Sequence, residues 1–152
     1  MRHKYLAAIA CGVAAVLVLA TSALGEDGKA AFEQRRDTMK AMGRALYLGV
    51  GRVAKGRSEY GPDTVAAAET IARLALTIGT LFPPGSDVAG SNMKPELLSS
   101  PDRVAQFAAV VQAATPVFVA DVKSGDKARL AAAYTAMAKA CDACHSVFRK
   151  ED

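Results

Sequence analysis

Two cysteines three residues apart, with a histidine directly after the second, stand near the carboxyl end as Cys141-Asp142-Ala143-Cys144-His145. On a helix, residues i and i+3 share a face, and residue i+4 lies one turn beyond the first. Cys141 and Cys144 can therefore each form a thioether with one of two adjacent vinyl groups, while His145 turns its imidazole toward an iron. This is the pattern of covalent c-type haem attachment. Cysteine pairs also bind zinc or exchange disulfides. A closed zinc site wants four protein ligands, and a thioredoxin-like pair belongs near a βαβ pattern, of which the sequence has no sign.

The chain that must position these groups has 152 residues, enough for one domain with a real core. It is rich in alanine, poor in aromatics and without tryptophan, and few segments alternate in the β manner, so an all-α fold is expected. The first residues stand apart. Met1-Arg2-His3-Lys4 is a basic head, Leu6 to Ala20 an apolar run of about fifteen residues, and Thr21-Ser22-Ala23-Leu24-Gly25 a small-residue exit. That order describes a cleavable secretory signal peptide over residues 1–25, and the run is short of the roughly 20 residues a spanning helix needs. Cleavage after Ala23 and cleavage after Gly25 both fit, and the latter leaves a domain of 26–152 with no retained membrane segment. Cys11 and His3 depart with the leader, so His145 becomes the sole histidine and Cys141 and Cys144 the sole cysteines. The 19 basic residues fall to 17 against 15 acidic. With no basic stripe interleaved with aromatics, nothing points to nucleic acid.

Four helical patterns follow. From Gly28 to Lys55, Phe32, Met39, Leu46 and Val53 recur every seven residues, with Met42 and Gly49 between them and Arg35, Arg36, Lys40 and Arg44 around them. Gly43, four residues after Met39, would let something bulky approach the backbone. A second helix is expected from Asp63, as its N-cap, to Phe82, on a stripe of Val65, Ala68, Ala72, Ala75 and Ile78. Pro83-Pro84-Gly85 stops it. An aperiodic stretch to Ser100 then reads as one long crossover. Ser100-Pro101-Asp102 opens the third helix, with Val104, Phe107, Val111, Ala114 and Phe118 inward and a kink expected before Pro116. Asp126 caps the fourth, which runs to about Lys150 and carries Leu130, Tyr134, Met137, Cys141, Cys144 and Phe148 along one face. The motif thus lies on the apolar face of the last helix of a four-helix bundle, with its cofactor between helices.

With the motif so placed, the mature chain resembles the class II c-type cytochromes, the cytochrome c′ and cytochrome c-556 family. The resemblance rests on Lys139-Ala140-Cys141-Asp142-Ala143-Cys144-His145-Ser146-Val147-Phe148-Arg149 and on Arg35-Arg36-Asp37-Thr38-Met39-Lys40-Ala41-Met42-Gly43, supported by Leu81-Phe82-Pro83 and Ser99-Ser100-Pro101. It implies one covalent haem c with His145 as proximal iron ligand. Family members differ at the opposite face of the iron, which is empty and crowded by an apolar residue in cytochromes c′ and taken by a first-helix methionine in the c-556 type. Met39 falls where that methionine is expected. By spacing alone it would be a core residue. Met42 and Met93 compete with it, whereas Met137, two turns before His145, is poorly placed to reach the far side. The resemblance further implies that Arg35 approaches a haem propionate and that Arg149 lies against the proximal imidazole.

The reading is a non-enzymatic periplasmic carrier of single electrons, closer to the low-spin c-556 type and serving redox partner proteins. Family members often dimerise through their first two helices, which admits a homodimer. One alternative is a five-coordinate cytochrome c′ that binds nitric oxide or carbon monoxide. The other is a thiol-disulfide oxidoreductase using Cys141 and Cys144.

Overall fold

The computed structural model describes residues 27–150, so the leader, its cleavage sites, His3 and Cys11 lie outside the described residues. Four helices account for the described chain. We call α1 the helix over residues 27–54, α2 Pro62–Ala75, α3 Pro101–Lys123 and α4 Lys127–Phe148. Helices adjacent in sequence pack side by side, and α4 closes on α1, giving a four-helix bundle. Residues 76–100 form the long crossover between α2 and α3. No strand occurs among the described residues, only an isolated antiparallel bridge between Met93 and Arg149.

α1 is not uniform. Its middle, Arg44–Val50, is a π-helix, in which the Gly51 N–H reaches back five residues to the Leu46 carbonyl. The wider turn puts Met42, Leu46 and Val50 in the core at intervals of four, while Tyr47 and Leu48 swing outward, 45% and 58% exposed. The glycines here are close-approach positions. A Cβ on Gly49 would strike the Cβ of Ala67 on α2, and one on Gly51 would lie 2.7 Å from Cε2 of Tyr134 on α4. Glycine costs α1 helix propensity, and at these two points it lets neighbouring helices come nearer than any side chain allows.

α2 departs from expectation at both ends. Its N-cap is Gly61, with Pro62 rather than Asp63 as first helical residue, and the Thr64 hydroxyl accepts the Gly61 N–H at 3.4 Å. It stops at Ala75, seven residues before Phe82. A turn and a short 3-10 segment, Ile78–Thr80, take the chain onward, with the Thr77 hydroxyl donating to the Leu74 carbonyl at 2.8 Å. The buried face is Thr64, Ala68, Ile71 and Ala75, so Val65 and Ala72 of the expected stripe flank it.

α3 buries Val104, Ala108, Val111, Thr115, Phe118 and Val122 and runs unbroken through Pro116. A side chain makes a local repair at the proline. Proline withholds the N–H that the Gln112 carbonyl would accept, and the Thr115 hydroxyl donates to that carbonyl at 2.8 Å. Length and composition alone would let α3 cross a membrane, but it packs between α2 and α4. Gly125, at φ +66°, turns the chain into α4, and Asp126 caps that helix by accepting the Arg129 N–H at 2.8 Å.

α4 buries Leu130, Ala133, Met137 and Phe148, with Tyr134, Cys141 and Cys144 half-buried. It ends at Phe148, two residues before the expected Lys150. Arg149, which follows it, is extended. Lys94 donates its N–H to the Phe148 carbonyl and Lys150 donates its own to the Asn92 carbonyl, both at 2.7 Å. The crossover has no helical period, yet it is fastened to the chain end that carries the motif.

Candidate functional site

One cavity of about 660 Å³ opens between α1, α4 and the crossover. α4 contributes Cys141, Cys144 and His145 to its wall, and α1 contributes Met39, Met42 and Gly43 from the facing side. The remainder is largely apolar, including Phe82, Phe107 and Phe148. Both cysteines are free thiols and half-buried. Burial, reinforced by Asp142 and Cys144, pushes the Cys141 thiol up to about 11, and burial raises Cys144 as well. Burial first and Arg149 second hold the His145 imidazole below its ordinary range, so it stands neutral, the form that binds metal.

These thiols are unlike those of an exchange catalyst. Reactive cysteine pairs have depressed pKa values, because the thiolate is the nucleophile. Among the described residues no group of three or more His, Cys, Asp or Glu side chains could hold a metal ion.

The fit to a haem is good on independent grounds. The volume lies within the roughly 300–1,000 Å³ typical of cofactor sites, and such sites are mostly apolar with few polar groups. Two thiols and one neutral imidazole share a wall. At Gly43 a Cβ would meet no protein atom within 4 Å, so the backbone is bare where it borders the cavity.

The other expected residues fall in different places. Met39 is half-buried and Met42 only 7% exposed, both on the cavity. Met93, which the sequence left unplaced, also lines the cavity; its bridge to Arg149 draws it to the α4 side, where it packs in a cluster with Leu97, Val104 and Phe148. Tyr47 sits on the rim, edge-on to Tyr134 at 6.4 Å between ring centroids. Arg149 borders the cavity with an exposed side chain. Arg36 is exposed and pairs with Asp37 at 2.9 Å.

Arg35 also lines the cavity, and most of its donors are taken by the crossover. It is 7% exposed and donates to the Leu81 carbonyl at 3.0 Å, the Ser86 hydroxyl at 2.9 Å, the Ser86 carbonyl at 2.7 Å and the Ser91 hydroxyl at 3.2 Å. Burial lowers its pKa, and Asp87 partly offsets that. Sequence reasoning missed Ser86 and Ser91 because they lie in the aperiodic stretch.

A four-helix bundle with a cysteine pair and histidine from its last helix inside one apolar cavity defines a covalent-haem bundle protein. The comparisons agree. The sequence profile of the family described as Cytochrome C′ matches residues 30–149. Cytochrome c-556 of Agrobacterium tumefaciens (strain II Chrys) is 30% identical over 118 residues, covering 77% of this chain and 94% of that protein. Cytochrome c′ from Thermochromatium tepidum superposes with a TM-score of 0.72 at 26% identity, covering 82% of this chain and 97% of that one. A leucine-to-alanine mutant of cytochrome c′ from Alcaligenes xylosoxidans, solved as its nitric oxide complex, gives 0.73 at 25% identity with the same coverage. The chain belongs to the cytochrome c′ family of class II c-type cytochromes, and its cofactor is covalently bound haem c.

Proposed function

We propose that this protein is an exported, periplasmic monohaem cytochrome that carries single electrons between redox partner proteins. Residues 1–25 are its cleaved leader and 26–152 its haem domain. The observation that carries the reading is the shared cavity, with Cys141, Cys144 and His145 on one wall and Met39 on the opposite helix. Cys141 and Cys144 hold the haem through thioethers, His145 is the proximal ligand and Met39 the distal one. Bound there, the haem supplies a one-electron ferric/ferrous couple, and thioether ligation favours electron transfer over gas binding. The protein's own part is to keep both ligands in place, exclude water and set the dielectric with the walls around them. No substrate chemistry is required of it. The c-556 relative supports the methionine-ligated assignment.

A second reading has an observation of its own. The bare backbone at Gly43 leaves room on the distal side, and the Alcaligenes xylosoxidans relative was solved with nitric oxide bound. A five-coordinate haem taking nitric oxide or carbon monoxide would use that space. Optical and magnetic spectra of the mature holoprotein separate the two. Low-spin ferric and ferrous haem, lost in Met39→Ala and kept in Met42→Ala, is the expected result. A high-spin resting haem that binds carbon monoxide readily would refute the electron-carrier reading. Sedimentation of the same sample tests for a homodimer.

A further inference from the structure

A buried guanidinium is costly unless its charge and its donors are met. Arg35 donates its hydrogen bonds to neutral acceptors of the crossover, Asp87 acts on its charge, and its Cζ lies over the rings of Phe32 and Phe82, 5.7 and 5.3 Å from their centroids. Four bonds of this kind commit most of the five N–H groups an arginine carries. The contacts continue. The Ser91 hydroxyl that accepts from Arg35 also accepts the Met93 N–H at 3.3 Å. Met93 pairs with Arg149, the next residue donates to the Phe148 carbonyl, and the Arg149 N–H donates to the carbonyl of His145 at 2.9 Å. Hydrogen bonds joined by short lengths of backbone thus link α1, one turn before Met39, across the crossover to the turn that carries His145. The crossover is also pressed onto the start of α1, where a Cβ on Gly28 would overlap the Gly85 carbonyl.

We propose that Arg35 is a positioning residue that clamps the crossover as a strap between α1 and α4, fixing how Met39 stands relative to His145. The proposal rests on Met39 ligation as read above, and its test separates the two.

The test uses holoprotein variants Arg35→Gln, Arg35→Lys and Ser86→Ala. Ser86 is fully buried and does not line the cavity, so its hydroxyl reports on the strap alone. Three readouts are taken: the thioether-to-iron charge-transfer band, the midpoint potential against pH, and amide hydrogen exchange over residues 86–94. Arg35→Gln loses most of the band, and its strap amides exchange roughly tenfold to a hundredfold faster. Ser86→Ala moves both readouts the same way by less, and Arg35→Lys restores part of the loss. Unchanged strap exchange in Arg35→Gln would overturn the proposal. So would a silent Ser86→Ala beside an Arg35→Gln that alters only the pH dependence of the potential, the mark of a propionate partner. Should Arg35→Gln fail to fold, Ser86→Ala decides by the same criteria. A wild-type protein without the band defeats Met39 ligation, while strap exchange still tests the clamp.

Discussion

Gly51→Ala tests how closely the two ligand-bearing helices must approach. The new methyl would lie 2.7 Å from Cε2 and 3.1 Å from Cζ of Tyr134, and 3.0 Å from the Leu46 carbonyl, well short of the 3.4 Å where ordinary contact begins. The tyrosine has little freedom to retreat. Tyr47 stands edge-on to it at 6.4 Å, and the Lys55 ammonium is 5.1 Å from its ring centroid. Overpacking of this kind costs about 1–3 kcal/mol, against a helix-propensity gain of about 1 kcal/mol for replacing glycine by alanine. The net loss is therefore up to about 2 kcal/mol in the wild-type background. With Tyr134→Ala only the 3.0 Å contact with the Leu46 carbonyl remains, and Gly51→Ala should range from neutral to stabilising by about 1 kcal/mol. A double-mutant cycle by urea denaturation of the holoprotein reads the difference as a coupling of about 1–3 kcal/mol. Additivity within about 0.5 kcal/mol would refute the claim that glycine is there to admit the tyrosine.

Three further expectations concern the α3 repair, the α4 cap and the thiols. Thr115→Val removes the hydroxyl that serves the Gln112 carbonyl and should cost about 1–3 kcal/mol in urea denaturation, whereas Pro116→Ala combined with it should recover most of that loss. Asp126→Ala removes the α4 cap and should cost about 1 kcal/mol, read as a lower Tm, with Asp126→Asn close to wild type. In chain produced without haem attachment, the raised Cys141 pKa means the buried thiol stays protonated up to about pH 11. Its stabilising effect is present below the unfolded thiol's pKa of about 8.5 and is lost as pH rises toward 11. Iodoacetamide labelling should accordingly climb with pH through that range; a rate already saturated near neutrality would revive the thiol-disulfide alternative.

The helices were legible because their signals are local. Asp126 and the α4 stripe needed only capping chemistry and a 3.6-residue period, and Cys141, Cys144 and His145 announced themselves by type and spacing. The end of α2 was not legible, because Ala75 and Phe82 both continue the same apolar period and the Thr77 hydroxyl bond that accompanies the turn looks like any surface threonine. The π segment had no signal beyond two glycines whose partners, Ala67 and Tyr134, come from other helices. The fate of Arg35 depended on the Leu81 and Ser86 carbonyls, which any sequence possesses, so only the folded path of the crossover could reveal it. A family likeness aimed Arg35 at a propionate; the hydrogen bonds add the strap, and the residue still borders the cavity.

The π segment of α1 also says something about chain length. Val50 follows Leu46 by four residues, as Leu46 follows Met42, and the exposed Leu48 is what the wide turn throws outward. Without Leu48, Val50 would follow Leu46 by three. The inward positions from Arg35 onward would then alternate by fours and threes, as an unbroken α-helix requires. α1 is in this sense a straight helix holding one residue more than it needs, and the surplus is housed between Met39 and the Gly51–Tyr134 contact. A relative with a one-residue gap at that place could keep the same inward face on both sides of it.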